Sequence, residues 1–169
     1  MIIFASKEIM LINQIIETIG YTRNHFLKLT SDCSAEEMNT LPKGFRNNLI
    51  WNLAHVISSQ QMLCYVLSNV APVTEQVFVD AYKPGTSPGS FIDQPEIMRI
   101  RVLAETTVAE LIRDYNKGAF KAYDGRQTKF GPLLSNIEEA IAYVSTHETL
   151  HLGYAKAMLR VLRSETNTH

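Results

Sequence analysis

From Asn47 to Thr74 the chain carries no Asp, Glu, Lys or Arg, a run of 28 positions in a protein that is 20% charged. Within it, Leu49 to Ser68 keeps helical apolar spacing, and Asn47 and Asn48 are cap-type residues immediately before it. A helix without charge on any face is buried on most of its circumference. The run therefore predicts either the central helix of a helical bundle or a helix covered by a partner subunit.

A length of 169 residues suits one domain, 1–169, that buries roughly two-thirds of its unfolded surface and needs no disulfide. Sixteen basic residues stand against seventeen acidic ones, for a net charge of −1. Phosphate neutralisation needs a basic surface, so nucleic acid is not an expected partner, and neither is an anionic membrane surface. Cys33 and Cys64 form no CxxC pair and read as reduced thiols, which fits a cytoplasmic protein. The start, MIIFASKEIMLINQII, has no basic leader region and places Lys7, Glu8 and Asn13 inside its apolar stretch, so it does not read as a signal peptide. Nowhere does an apolar stretch reach the ~18 residues of a transmembrane helix.

Three further segments carry helical periodicity. The first runs from Ser6 to Leu29, with Ile9, Ile12, Ile16, Ile19 and Phe26 on one face. A short helical turn at Ala35–Thr40 follows it. After the charge-free segment, Asn69 to Ile92 reads as a long irregular crossover, with KPGTSPGS at its centre. The next helix starts at Pro95, capped by Asp93, and stops near Gly118. Its IMRIRVL stretch alternates like a strand, but the helical period persists beyond Leu103. Ala119 to Leu134 is again irregular. The last helix begins at Ser135, where Ser135 and Glu138 have capping-box spacing, and runs to Arg163 before a polar tail.

The histidines carry the functional signal. His147 and His151 lie four apart in THETLHLGYAKAML, about 40° apart around a helix and about 6 Å along it, so both imidazoles can address one ion. Ala140, Tyr143, Val144, Leu150, Tyr154, Met158 and Val161 lie within about 60° of His147, which places the pair on an inward face. His55 stands in the charge-free helix. A buried imidazole without partners costs free energy, and three inward histidines can satisfy one another by sharing a metal. The alternative is three core histidines bonded to backbone or hydroxyls. His25 faces away from the apolar stripe of its helix and His169 is terminal, so both read as solvated.

Trp51, Met62, Tyr143 and Met158 read as core or pocket wall. Glu148, about 100° from His147, reads as a pocket-edge residue, and Cys64, about 180° from His55, as a poor ligand. There is no GxSxG, P-loop or CxxC motif. The letters HETLH fit HExxH, but a zincin needs a strand-built cleft and a downstream third ligand, and only His169 follows. An i, i+4 pair cannot occupy opposite faces of a haem.

The combination NLIWNLAHVISSQQ, a loop with YKPGTSP, and SNIEEAIAYVSTHETLHLGYAKAMLRVL resembles the DinB-like superfamily from Ser6 to Arg163. The most specific element is a histidine in the second long helix with HxxxHxG in the fourth: His55, His147, His151 and Gly153. The resemblance implies an all-α four-helix bundle with a long crossover between helices two and three. It also implies a divalent metal held by His55, His147 and His151, zinc or nickel first and iron or manganese after them. Some members are similar to transferases and isomerases that use low-molecular-weight thiols. The expected partner is then a small-molecule substrate, with such a thiol among the candidates. Separately, the long uncharged second helix and the apolar content of the first would allow a homodimer interface. No catalytic acid, base or substrate clamp is identified. The competing expectation is a non-catalytic bundle that binds a metal or small molecule.

Overall fold

A computed structural model describes residues 2–129 and 131–166. The charge-free run forms α3 (Leu49–Gln60), all of whose residues are buried, capped by the Asn48 side chain on the Trp51 amide. The chain itself supplies this cover, which answers the choice posed by the sequence. The helix then widens into a π turn (Gln61–Tyr65), tightens to a 3₁₀ turn (Val66–Ser68) and ends at Asn69 with φ +58°. The expected limits, Leu49 and Ser68, hold, while the π segment has no counterpart in the periodicity. Wide turns of this kind frequently accompany functional sites.

The other long helices are α1 (Ile2–Leu29), α5 (Gln94–Asn116) and α6 (Ile137–Thr166). Both α1 and α3 pack against α5 and α6. A short α2 (Ala35–Asn39) carries a complete capping box between Ser34 and Glu37 and buries Met38. Asp93 caps α5 by accepting from the Glu96 amide at 3.0 Å, and Gly118, at φ +67°, follows its end. The fold is all-α apart from one two-stranded hairpin, and among the described residues no helix is long and apolar enough to cross a membrane.

Several expectations need correction. On α1, Ile12, Ile16, Ile19 and Phe26 are buried, but Ile9 is 45% exposed. Met10 and Leu11 are exposed as well. Three consecutive residues point in directions about 100° apart, so position along the axis, beyond the covering helices, decides their exposure. The crossover is not wholly irregular: it contains α4 (Gln76–Ala81), whose Phe78 and Val79 are buried and whose Val79 carbonyl accepts from Ser58 Oγ at 2.8 Å. The second irregular stretch contains β1 (Arg126–Gln127) and β2 (Leu133–Leu134), antiparallel, with Arg126 opposite Leu134. Strands this short leave no readable alternation.

The cap of α6 sits one residue later than expected. Asn136 Oδ1 accepts from the Glu139 amide at 2.8 Å, and Glu139 Oε2 accepts from the Ser135 amide at 2.7 Å. Glu138 accepts instead from the Tyr115 hydroxyl. Asn caps as well as Ser, and the fully buried Leu134 fixes where the helix can begin. The helix continues to Thr166, and His169 lies outside the described residues.

The largest correction concerns which face of α6 is inside. Ile141, Val144, Glu148, Ala155 and Met158 are buried, whereas Leu150 is 67% and Tyr154 40% exposed. The buried stripe is thus centred about 70° from His147, and the histidines lie along its border. Glu148 consequently sits in the core rather than at a pocket edge. Its carboxylate meets Arg23 of α1, and each side chain is only 1% exposed. Arg23 donates to both Glu148 oxygens, at 2.9 and 2.6 Å, to the Ala104 carbonyl and Thr107 Oγ1, and to Gln60 Oε1. One guanidinium thereby ties all four long helical segments together. Burial pushes the Glu148 carboxyl up, against the opposing pull of Arg23.

Candidate metal centre

His55 projects from the buried α3, and His147 and His151 from adjacent turns of α6. Packing of α3 on α6 brings the three rings together, with centroids 5.3 Å (His55–His147), 4.8 Å (His55–His151) and 4.5 Å (His147–His151) apart. One ligand-capable nitrogen from each lies within 4.8 Å of the others. The residues singled out from the sequence are therefore neighbours in space.

Their surroundings fix which nitrogen is available. His55 Nδ1 lies 2.6 Å from the Tyr82 carbonyl, which only accepts, so Nδ1 carries the proton and Nε2 is bare. Beyond that nitrogen is Ser59 Oγ at 3.4 Å. His151 Nδ1 lies 2.8 Å from Asn52 Oδ1. The Asn52 amide cannot be flipped at no cost, because its Nδ2 donates to the Asn48 carbonyl at 2.8 Å and faces Met158 Sδ. His151 Nδ1 is thus also the protonated nitrogen, leaving Nε2 bare. His147 Nδ1 is buried with no hydrogen-bond partner among the described residues. A buried polar atom without a partner is costly, and a cation is one group that would satisfy it.

Electrostatics keep all three rings neutral. Burial lowers the pKa of His55 despite its bond to Tyr82. Burial, and then the neighbouring His55, brings His147 down to about 4. Burial, followed by His147 and His55, brings His151 down to about 3. Neutral imidazole is the form that ligates metal, and partners on the far ring nitrogen are what orient histidine ligands in metal sites. The donor set is three nitrogens with no carboxylate or thiolate in the cluster, a set compatible with a divalent ion such as zinc or nickel. The ion's charge would remain uncompensated by protein ligands.

The walls match their expected roles. Trp51 stacks on His55, with ring centroids 4.6 Å apart and planes 10° apart, and its Nε1 donates to Thr86 in the crossover. Tyr143 lies nearly parallel to His147 at 6.1 Å. Met62 and Tyr143 line a cavity of about 310 Å³ that His147 borders. Cys64 is fully buried and outside the cluster, and burial pushes its thiol pKa up. The exposed His25 bonds only to the Tyr21 carbonyl among the described residues. Glu148 is consumed by Arg23, so it cannot serve as the base that an HExxH helix would require.

Two contributors escaped the sequence reading. Asn52 is one turn before His55 on a helix expected to be buried all round, so its amide needed a partner, and that requirement was a usable signal. Tyr82 contributes a backbone carbonyl from the crossover, for which no side-chain pattern exists.

No curated protein matches the chain. The family model of the DinB superfamily matches residues 19–155, a span that includes all three histidines. The match covers most of the sequence, and the chain belongs to the DinB superfamily.

Proposed function

We propose that His55, His147 and His151 hold one divalent cation, zinc or nickel, and that this centre activates a low-molecular-weight thiol for transfer to, or isomerisation of, a small electrophile. The observation that carries the metal assignment is the convergence of three neutral imidazoles, two with their far nitrogens pinned and the third with a buried nitrogen unpartnered. The same proposal takes the four long helical segments as a four-helix bundle whose crossover, through Tyr82 and Thr86, braces the site. A bound divalent ion supplies Lewis acidity, which lowers the pKa of a coordinated thiol or water.

The protein's own part is positional. Asn52 and the Tyr82 carbonyl hold two rings in one tautomer and orientation. Trp51 and Tyr143 flank the rings and restrict water. The cavity beside His147 gives a small substrate access to the border of the centre. The superfamily membership supports this reading, and the thiol chemistry rests on that likeness.

The test is elemental analysis of the purified protein, followed by assay with zinc, nickel, iron or manganese across a panel of thiols and electrophiles. Near-stoichiometric metal, lost in His55→Ala and His147→Ala, together with chelator-sensitive turnover, is the expected result. Metal at background in the wild type refutes the centre. One observation favours a non-catalytic binding protein instead: among the described residues no carboxylate joins the cluster, and Glu148 is engaged elsewhere. Bound metal without turnover across the whole panel selects that reading.

A further inference from the structure

The cavity beside His147 has a charge asymmetry that the metal centre does not use. Its apolar wall is Met62 and Leu63 from the π turn and Tyr143 from α6. Arg126 and Lys129, from the hairpin, line it as well, and no carboxylate does. Arg126 has no ion-pair partner among the described residues. The turn that carries these cations is held in place. Gln127 Nε2 donates to the Gly131 carbonyl at 3.1 Å, and Thr128 Oγ1 donates to the Pro132 carbonyl at 2.9 Å. A Cβ on Gly131 would lie 3.4 Å from the Tyr143 ring and 3.0 Å from Thr128 Oγ1, so glycine lets the turn sit against α6. Below the turn, the Asp124 amide donates to the Leu67 carbonyl, anchoring the hairpin to the end of the α3 segment.

A cavity of this size with one apolar wall and two cations fits a small organic acid. We propose that it is a carboxylate subsite: Arg126, with Lys129, binds the carboxylate of a short-chain organic acid whose apolar body lies along Met62, Leu63 and Tyr143. The substrate class follows as a molecule with a carboxylate at one end and, where the proposed metal centre holds, a metal-binding donor at the end toward His147. Only that second clause rests on the metal reading.

The test uses the full chain in two states. Metal-free protein is titrated with hexanoate and with hexanamide, followed by ligand-observed NMR. Hexanoate should bind about tenfold more tightly, with a preference that weakens as salt rises and disappears in Arg126→Gln. Equal binding of acid and amide, or a preference that survives Arg126→Gln, overturns the subsite. Cobalt-loaded protein is then titrated with 6-mercaptohexanoate, read by thiolate-to-cobalt absorption. Arg126→Gln should raise the half-saturating concentration about tenfold and leave cobalt affinity unchanged. Failure to bind cobalt with an intact Arg126-dependent preference sinks the metal reading and leaves the subsite standing. Cobalt binding without any carboxylate preference does the reverse.

Discussion

Truncating Glu148 to alanine leaves the Arg23 guanidinium in a site where it is 1% exposed and has no counter-charge. Two of its hydrogen bonds go to Glu148, and the others, to Ala104, Thr107 and Gln60, are to neutral acceptors that cannot offset the charge. Breaking a buried ion pair on one side costs about 3–5 kcal/mol, a large share of the ~5–15 kcal/mol that stabilises an ordinary domain. The double variant Arg23→Met, Glu148→Leu behaves differently, because no charge stays behind. Thr107 Oγ1 still donates to the Leu103 carbonyl at 2.7 Å, and Gln60 Oε1 still accepts from Gln61 Nε2 at 3.3 Å. Its stability should fall within about 1 kcal/mol of wild type. The assay is urea unfolding followed by helical circular dichroism, with midpoints compared at constant slope. A loss below about 1 kcal/mol for Glu148→Ala, or additive costs in the double variant, would refute the argument that the pair acts as one unit.

Three other outcomes are expected. Asn52→Leu removes the acceptor for His151 Nδ1 and should weaken metal binding about 10- to 100-fold in a competitive chelator titration, with helix content retained. In metal-free protein, His147 and His151 remain neutral in the fold at pH values where the unfolded chain protonates near 6.5, so stability is intact above about 6.5 and falls as pH drops toward about 4. The slope should approach about 1.4 kcal/mol per pH unit for each histidine, and a urea midpoint that falls clearly less steeply over that range in His147→Gln/His151→Gln than in wild type checks it, the remaining slope coming from the buried His55. Asn136→Ala should cost about 1 kcal/mol by thermal melt, whereas Ser135→Ala should cost much less, since among the described residues only the Ser135 backbone amide is engaged.

Local rules settled much of this molecule. The absence of charge from Asn47 to Thr74 dictated a buried helix, because no rotation of it could present a solvated face. Cap chemistry placed the start of α5 at Asp93, and the i, i+4 spacing of His147 and His151 required their rings to be neighbours on any helix. Periodicity fixed that α6 has an inner face but misplaced its centre by about 70°. Apolar residues lie on both sides of the histidines, and a hydrophobic stripe does not report which part of it the neighbouring helices cover. For the same reason Leu150 and Tyr154 turned out exposed, and Glu148 buried.

Tertiary packing alone decided the rest. Arg23 lies seven residues beyond Ile16, on the same apolar stripe of α1, and becomes admissible there only because Glu148, Thr107 and Gln60 arrive from three other helical segments. The tautomers of His55 and His151 depend on a backbone carbonyl 27 residues away and an amide 99 residues away. The two-residue strands that carry Arg126 to the cavity are too short to leave a pattern. Sequence determines which groups are present and how each helix spaces them. Whether a polar group is satisfied, orphaned or charged depends on long-range neighbours, and those exist only once the helices have packed.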